Sequence, residues 1–132
     1  MEVLLVEPGK EARIAEIGGD LKSLQAAVGG YIEATYPFDD SVALVCNDEG
    51  KIMQMPLNRA LRGEDGKIYD AIAGPFFICG LGEDDFCSLP KELQGKYLEQ
   101  FRWPEKFLSI GGSIVAVQDR PREAAHKPAP ER

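Results

Sequence analysis

The sequence predicts one α+β domain over residues 1–118, built on a mainly antiparallel mixed sheet with two helices on one face. Short apolar or alternating runs, separated by turns rich in glycine and proline, recur along the chain and indicate strands. Two other stretches carry apolar residues at helical spacing, which gives the approximate order ββαβββ(β)αβ. Residues 119–132, rich in Pro, Arg, Glu and Ala, are predicted to form a flexible tail because they have little to bury.

The first two strands are predicted to pair as a hairpin. Residues 3–6 form a short, continuous apolar run of the kind found in buried strands. Pro8 and Gly9 mark a turn, and apolar and polar residues then alternate over residues 13–17.

A helix followed by a strand is predicted next. Asp20 is a suitable N-cap for a helix over residues 21–28, where apolar residues recur at helical spacing. Gly29 suits the left-handed position after such a helix. The period then changes to two, which predicts a strand over residues 31–36 that Pro37 ends.

The pair formed by Gly29 and Gly30 has two interpretations. In the first, Gly29 ends the helix and Gly30 allows it to pack closely on the strand. In the second, the backbone amides of the pair stay exposed and form an anion-binding nest. The first is favoured, because a lone glycine pair is weak evidence for an anion site.

The middle of the chain predicts a second hairpin and a short helical turn. Residues 42–46 are a continuous apolar run, and the sequence Asn-Asp-Glu-Gly at residues 47–50 is typical of a hairpin turn. The return strand is predicted over residues 51–55. Residues 56–62 begin with Pro56, which suits the first turn of a helix.

The second half is predicted to contain a mid-sheet strand at residues 76–79, preceded by an irregular apolar run. Ser88 is predicted to cap a second helix. Its inner face consists of apolar residues at helical spacing, namely Leu89, Leu93, Tyr97, Leu98 and Phe101. Pro104 ends or kinks this helix, residues 105–108 add one more turn, and residues 113–117 form the last strand.

Composition bounds the class of protein. The chain has 132 residues and a net charge of −7. This acidic balance argues against sequence-independent nucleic-acid binding, which needs a basic surface, so no direct nucleic-acid partner is expected. No apolar run reaches membrane-spanning length and no basic signal-peptide region begins the chain, which predicts a cytoplasmic protein without a membrane partner. Three cysteines without a CxxC motif are predicted to be reduced.

The residue inventory argues against several kinds of catalytic site. The single histidine, His126, lies in the predicted tail, so a Ser-His or Cys-His pair within the domain is not expected. Cys87 precedes the second helix, where thiolate character can rise, but no base lies near it in sequence. The acidic pairs at residues 39–40 and 84–85 are interpreted as solvated turns rather than cation sites. Neither a metal nor a cofactor is expected.

Six residues are predicted to bind a ligand. Arg59 and Arg62 lie three apart, and a helical turn would place both guanidinium groups on one face as a grip for phosphate or carboxylate. The favoured alternative is that they form salt bridges with neighbouring acidic turns. Glu33 lies on the polar face of its strand, and a second carboxylate that would make it an acid/base pair cannot be placed from sequence. The predicted ligand-binding residues are Gly30, Tyr31, Glu33, Asn58, Arg59 and Arg62.

Trp103 is predicted to contact a protein partner. It belongs to an aromatic cluster at the end of the second helix, most of which is interpreted as core. A tryptophan beside the helix-ending Pro104 can also anchor a protein contact.

Several runs carry a family resemblance: LKSLQAAVGGYIEATYPFDD, VCNDEG with MPLNRAL, GPFFICGLGEDDFCSL and YLEQFRWPEKF. They resemble the domain of unknown function DUF3846, over residues 3–118. The most specific pieces are GGYIE and PLNRAL at their observed distance. The resemblance implies no catalytic residues. It implies a small accessory protein of Firmicutes phages and mobile elements that interferes with host defence.

The sequence leads to the hypothesis of a non-catalytic binding protein that takes part in counter-defence. Its target is expected to be a nucleotide-like signal or a host defence protein, and a homodimer is expected because closed dimers are the commonest oligomers. One alternative is a small nucleotide hydrolase that uses carboxylates and a metal. The other is a regulatory protein-interaction module, which a flat surface around Asn58 and Arg59 would favour.

Overall fold

The computed structural model of the protein describes residues 1–121, which form ten strands and two helices, so the α+β class is confirmed. Six strands lie between the helices and two follow the second. Residues 122–132, most of the predicted tail, lie outside the described residues. The elements in chain order are β1 (Glu2–Val6), β2 (Arg13–Glu16), α1 (Leu21–Val28), β3 (Ile32–Thr35), β4 (Val42–Asn47), β5 (Leu57–Arg62), β6 (Ile68–Ala73), β7 (Phe76–Leu81), β8 (Phe86–Cys87), α2 (Lys91–Phe101), β9 (Glu105–Ile110) and β10 (Ser113–Gln118).

The main sheet is centred on β7. Its order is β2-β1-β7-β4-β3, and the short β8 also pairs with β7. Phe77 on β7 is opposite Leu5 on β1 and Val45 on β4, which confirms that residues 76–79 lie in the middle of the sheet. Two further two-stranded sheets are formed by β5–β6 and β9–β10. Each strand pair within residues 1–121 is antiparallel.

The two helices lie on opposite faces of the main sheet, so the prediction that they share one face is wrong. Val28 of α1 packs in one cluster with Phe77, whereas Tyr97 of α2 packs in a second cluster with Phe76. Adjacent residues of a strand point to opposite faces. The central strands are apolar at consecutive positions, and they therefore need a cover on both faces.

The predicted hairpin over residues 42–55 is wrong. β4 pairs with β3 on one edge and with β7 on the other, so neither edge is left for residues 51–55. Residues 51–54 form exposed turns instead, and Met55 after them is half-buried. The Asn47 side chain accepts a hydrogen bond from the Glu49 amide at 2.7 Å and donates to the Val28 carbonyl at 3.1 Å, which directs the chain out of the sheet.

Two predicted helical turns are strands. Most of residues 56–62 form β5, which pairs with β6, and residues 105–108 belong to β9, which pairs with β10. The irregular apolar run at residues 68–72 is β6, whose register with β5 shifts at two places. Such short segments carry no decisive helical period, so a partner strand later in the chain determines their conformation.

The predicted ends of α1 are confirmed. The Asp20 carboxylate accepts from the Ser23 amide at 3.2 Å, as an N-cap does. Gly29 follows the helix in the left-handed region, at a φ of 80°, and its amide donates to the Gln25 carbonyl.

The predicted Ser88 cap of the second helix is wrong. α2 begins at Lys91 with Pro90 at the cap position, and the Ser88 hydroxyl accepts from the Glu2 amide at 2.8 Å. Tyr97 and Phe101 are buried on the inner face of α2, as predicted. Within residues 1–121, neither helix is long and apolar enough to cross a bilayer.

Gly29→Ala is expected to lower the free energy of unfolding by about 1 kcal/mol, because an L side chain is disfavoured at a positive φ. The matched control is Gly95→Ala in α2, where an added Cβ meets nothing within 4 Å. This control should raise the free energy of unfolding by up to about 1 kcal/mol through helix propensity. Urea denaturation measures both, and shifts of the same sign would contradict the expectation.

Candidate binding cleft

A cleft of about 420 Å³ lies between β3–β4 of the main sheet and the β5–β6 hairpin. The buried side chains of Cys46, Leu61 and Ile72 line it and form an apolar floor. A cleft of this volume with an apolar floor can hold a side chain of a partner or a small organic group. We name it the carboxylate cleft, after its acidic residues Glu33, Asp48 and Asp70.

The carboxylate cleft carries excess negative charge. Of the described residues that line it, three are acidic and one, Lys51, is a cation. The Lys51 ammonium lies 2.6 Å from an Asp70 carboxylate oxygen, which also accepts from the Ala71 amide at 2.8 Å. Lys51 therefore neutralises Asp70, whereas Glu33 and Asp48 keep the remaining negative charge in the cleft.

Exposed apolar side chains surround the mouth of the cleft. Tyr36 is 61% exposed, Tyr69 60% and Ile52 82%. Tyrosine rings in such positions offer a flat face to an aliphatic chain or a cation. Tyrosine is also enriched at protein interfaces, where one side of the ring is buried and its hydroxyl stays wet.

A close backbone approach positions one end of the cleft. A Cβ on Gly50 would collide with the carbonyl oxygen of Ala73, so only glycine allows the turn after β4 to contact the end of β6. This contact holds the following residues, Lys51 and Ile52, at the mouth of the cleft.

The thiol on the floor of the cleft is not activated. Burial, followed by the nearby Glu33 carboxylate, raises the pKa of Cys46 to about 11, so the thiol stays protonated at neutral pH. Burial raises the pKa of the Cys79 thiol to about 12. Cys46, Cys79 and Cys87 are all free. In the part of the chain that the structure describes, no group of three or more His, Cys, Asp or Glu residues is placed to hold a metal ion.

Gly30 and Tyr31 lie beside the carboxylate cleft, in a smaller hollow of about 220 Å³ that shares Asn47 with it. The amides of Gly29 and Gly30 both donate to the Gln25 carbonyl, at 2.8 and 3.0 Å. They are therefore not available to an anion, and the nest interpretation is wrong. A Cβ on Gly30 would lie 2.8 Å from the Asn47 amide nitrogen, which supports the close-packing interpretation.

Asn58 and Arg59 are fully buried and line neither hollow. The Asn58 amide donates to the carbonyls of Val6 and Gly74 at 3.0 and 2.9 Å. The Arg59 guanidinium donates to the carbonyls of Phe101 and Lys10 at 3.0 and 2.7 Å, and to the Asn58 side-chain oxygen at 2.9 Å. Both side chains therefore bind the protein's own backbone in this structure.

Burial lowers the pKa of the Arg59 guanidinium to about 10, which still leaves it charged at neutral pH. The predicted helical turn that would align it with Arg62 is absent, because both residues belong to β5. Arg62 lies apart, 3.4 Å from a Glu105 carboxylate oxygen, and lines a shallow depression between β6 and β10. Arg62 therefore forms a salt bridge, but with Glu105 of β9 rather than with a neighbouring acidic turn, and the guanidinium of Arg59 binds carbonyl and amide oxygens instead.

Trp103 is half-buried in a hollow near the end of α2. The guanidinium groups of Arg102 and Arg120 lie over its ring, 4.7 and 5.6 Å from the ring centre. These cations already cover the tryptophan, and its role in partner binding stays a prediction.

Sequence reasoning found Glu33 but missed the residues that complete the cleft. Asp70 carried a usable signal, since it is a carboxylate within an otherwise apolar run that forms a strand. Tyr69 directly precedes Asp70 in this run. Lys51 is predicted to lie in the strand over residues 51–55, which does not form. Their meeting with Glu33 depends on the β5–β6 hairpin lying over β4, which no local pattern encodes.

A family model for the domain of unknown function DUF3846 matches residues 1–102. The chain belongs to the DUF3846 family. The DUF3846 match contains every residue that lines the carboxylate cleft, whereas the β9–β10 hairpin lies beyond it. No curated protein and no solved structure matches the chain. The description of the DUF3846 family gives no activity, so the chemistry of the cleft must suggest one.

Arg59→Lys is expected to lower the free energy of unfolding by about 3 kcal/mol, because one ammonium cannot reach all three acceptors, two of which lie in buried hydrogen bonds. Arg62→Lys is the matched control, since this guanidinium is 38% exposed and its replacement should change stability by less than about 0.5 kcal/mol. Urea unfolding of both variants provides the measurement. Equal losses for the two variants would show that Arg59 is not a structural anchor.

Proposed function

We propose that this protein is a non-catalytic binding protein that holds a cationic segment of a protein partner in the carboxylate cleft. The observation that carries the proposal is the combination of excess negative charge, an apolar floor and a tyrosine-lined mouth. A lysine or arginine side chain has the matching composition, because its aliphatic stem suits the floor and rim while its charge suits Glu33.

Electrostatics favours a cation over a nucleotide in this cleft. Glu33 and Asp48 are exposed, and an ion pair between exposed groups contributes about 0.2–1 kcal/mol. The two carboxylates therefore attract a cation and repel a phosphate, each by about that amount. The charge of the cleft thus supports the protein-partner version of the hypothesis rather than the nucleotide-like signal.

The resemblance to proteins of phages and mobile elements supports a host defence protein as the partner that would be occupied. Such a partner lies in the host cytoplasm, in agreement with the predicted location. A regulatory protein-interaction module would bind its partner in the same way. The counter-defence and regulatory hypotheses therefore differ in which protein is bound, not in the site that binds it.

The proposal is tested by NMR titration of the labelled protein with N-acetyl-arginine methylamide, and separately with AMP. The arginine derivative is expected to shift the amide signals of Glu33, Lys51, Tyr69 and Asp70, because its guanidinium enters the cleft. AMP is expected to leave these signals unchanged. Binding of AMP in the cleft, or hydrolysis of a nucleotide with turnover above one, would contradict the proposal and favour the hydrolase.

The double variant Glu33→Gln/Asp70→Asn removes two carboxylates from the cleft and is expected to weaken binding of the arginine derivative by about tenfold or more. The matched control is Glu83→Gln/Asp84→Asn, which makes the same change of charge in an exposed loop outside the cleft. Equal weakening by both would indicate general attraction to an acidic protein rather than a site.

A further inference from the structure

The outer edge of β3 is open. β3 is the last strand in the order of the main sheet, and within residues 1–121 it pairs with β4 alone. An unpaired edge presents a row of backbone donors and acceptors to which another extended segment can bind.

A hydrogen bond of Tyr31, the residue before β3, shows which backbone groups of β3 face away from β4. The Asp48 amide donates to the Tyr31 carbonyl at 2.8 Å, so the backbone of Tyr31 faces β4. Backbone groups alternate along an antiparallel strand. Glu33 therefore also faces β4, whereas the amides and carbonyls of Ile32 and Ala34 face outward.

The open edge borders the carboxylate cleft. The side chains of Glu33 and Thr35 line the cleft, and both belong to β3. A segment added along this edge would place every second side chain on the same face as Glu33. The residue directly opposite Glu33 would occupy a non-hydrogen-bonded position, where side chains of neighbouring strands lie closest.

We propose that the partner binds as an extended segment that adds antiparallel to β3 and places alternate basic side chains beside Glu33 in the carboxylate cleft. The inference rests on the proposed function, since it requires that the cleft accepts cations. It adds the conformation of the partner, the register of its side chains and the backbone groups of this chain that receive it.

Charge selects this occupant over a second copy of the chain. Each copy has a net charge of −7, and two β3 strands paired about Glu33 would place two carboxylates opposite each other. The opposite edge of the sheet, β2, is less suited to a basic segment. There, the Arg13 guanidinium lies 2.7 Å from Glu7, and the Glu16 carboxylate lies 2.8 Å from the N-terminal ammonium, so its charges are already paired.

The test uses an acetylated, amidated peptide that alternates threonine and arginine, Thr-Arg-Thr-Arg-Thr-Arg-Thr. Its arginines are expected to lie beside Glu33, so the threonine amides donate to β3. One analogue is N-methylated at the threonines and a second at the arginines. Methylation of the threonines should raise the Kd by about tenfold or more because it removes the donors to β3, whereas methylation of the arginines should change it by less than about threefold.

Hydrogen exchange supplies an independent readout. The parent peptide is expected to slow exchange of the Ile32 and Ala34 amides, which face outward in the free protein. Unchanged exchange at these two residues, or equal affinity of the two methylated analogues, overturns strand addition. If the arginine derivative still shifts the cleft signals in that case, cation binding stands and only the extended mode fails.

Two further outcomes complete the test. If neither the peptide nor the arginine derivative binds, the proposed function and this inference both fail. If Ile32 and Ala34 are protected without peptide and sedimentation gives a dimer, a second copy covers the edge and the inference is overturned.

Discussion

The buried Arg59 guanidinium connects parts of the chain that are distant in sequence. From β5 it reaches the carbonyl at the end of α2 and the carbonyl of Lys10 in the turn after β1. A buried cation is costly unless its donors are satisfied, and here backbone carbonyls and the Asn58 side chain satisfy them. The β5–β6 hairpin is thereby fixed against the main body, and with it one wall of the carboxylate cleft.

The cleft follows from the way in which the two faces of the sheet are covered. α1 packs on the face that contains Phe77, while α2 and the β5–β6 hairpin share the face that contains Phe76. This sharing leaves a gap above the β3–β4 side of the sheet, where Glu33 needs no apolar cover. The same gap lies next to the edge of β3 that pairs with no strand within residues 1–121, so backbone groups and acidic side chains become accessible in one place.

Local sequence signals predicted the elements whose conformation depends on nearby residues. The cap at Asp20, the left-handed Gly29 and the apolar run of β7 each act within a few residues, and the structure confirms all three. The apolar run of β7 does not state which neighbours it pairs with. The predictions are wrong for residues 51–55 and 56–62. In these segments the conformation depends on which distant strand is available for pairing.

The candidate site could be predicted only in part for the same reason. Glu33 was visible as a carboxylate on a short strand, but Asp70 and Lys51 join it only through the packing of a separate hairpin. Arg59 is predicted from the sequence to bind a ligand. Its burial gave it a structural role that sequence spacing alone could not distinguish from ligand binding.

The Lys51 ammonium competes with any added cation for the Asp70 carboxylate. The Asp70 carboxylate already lies 2.6 Å from an ammonium group of the same chain, so a cation bound there as proposed would replace one positive group by another. A second ammonium gains little from such an exchange. A guanidinium gains more, because its planar fork can contact both carboxylate oxygens at once. If the cleft binds a basic side chain as proposed, the internal ion pair would therefore favour arginine over lysine.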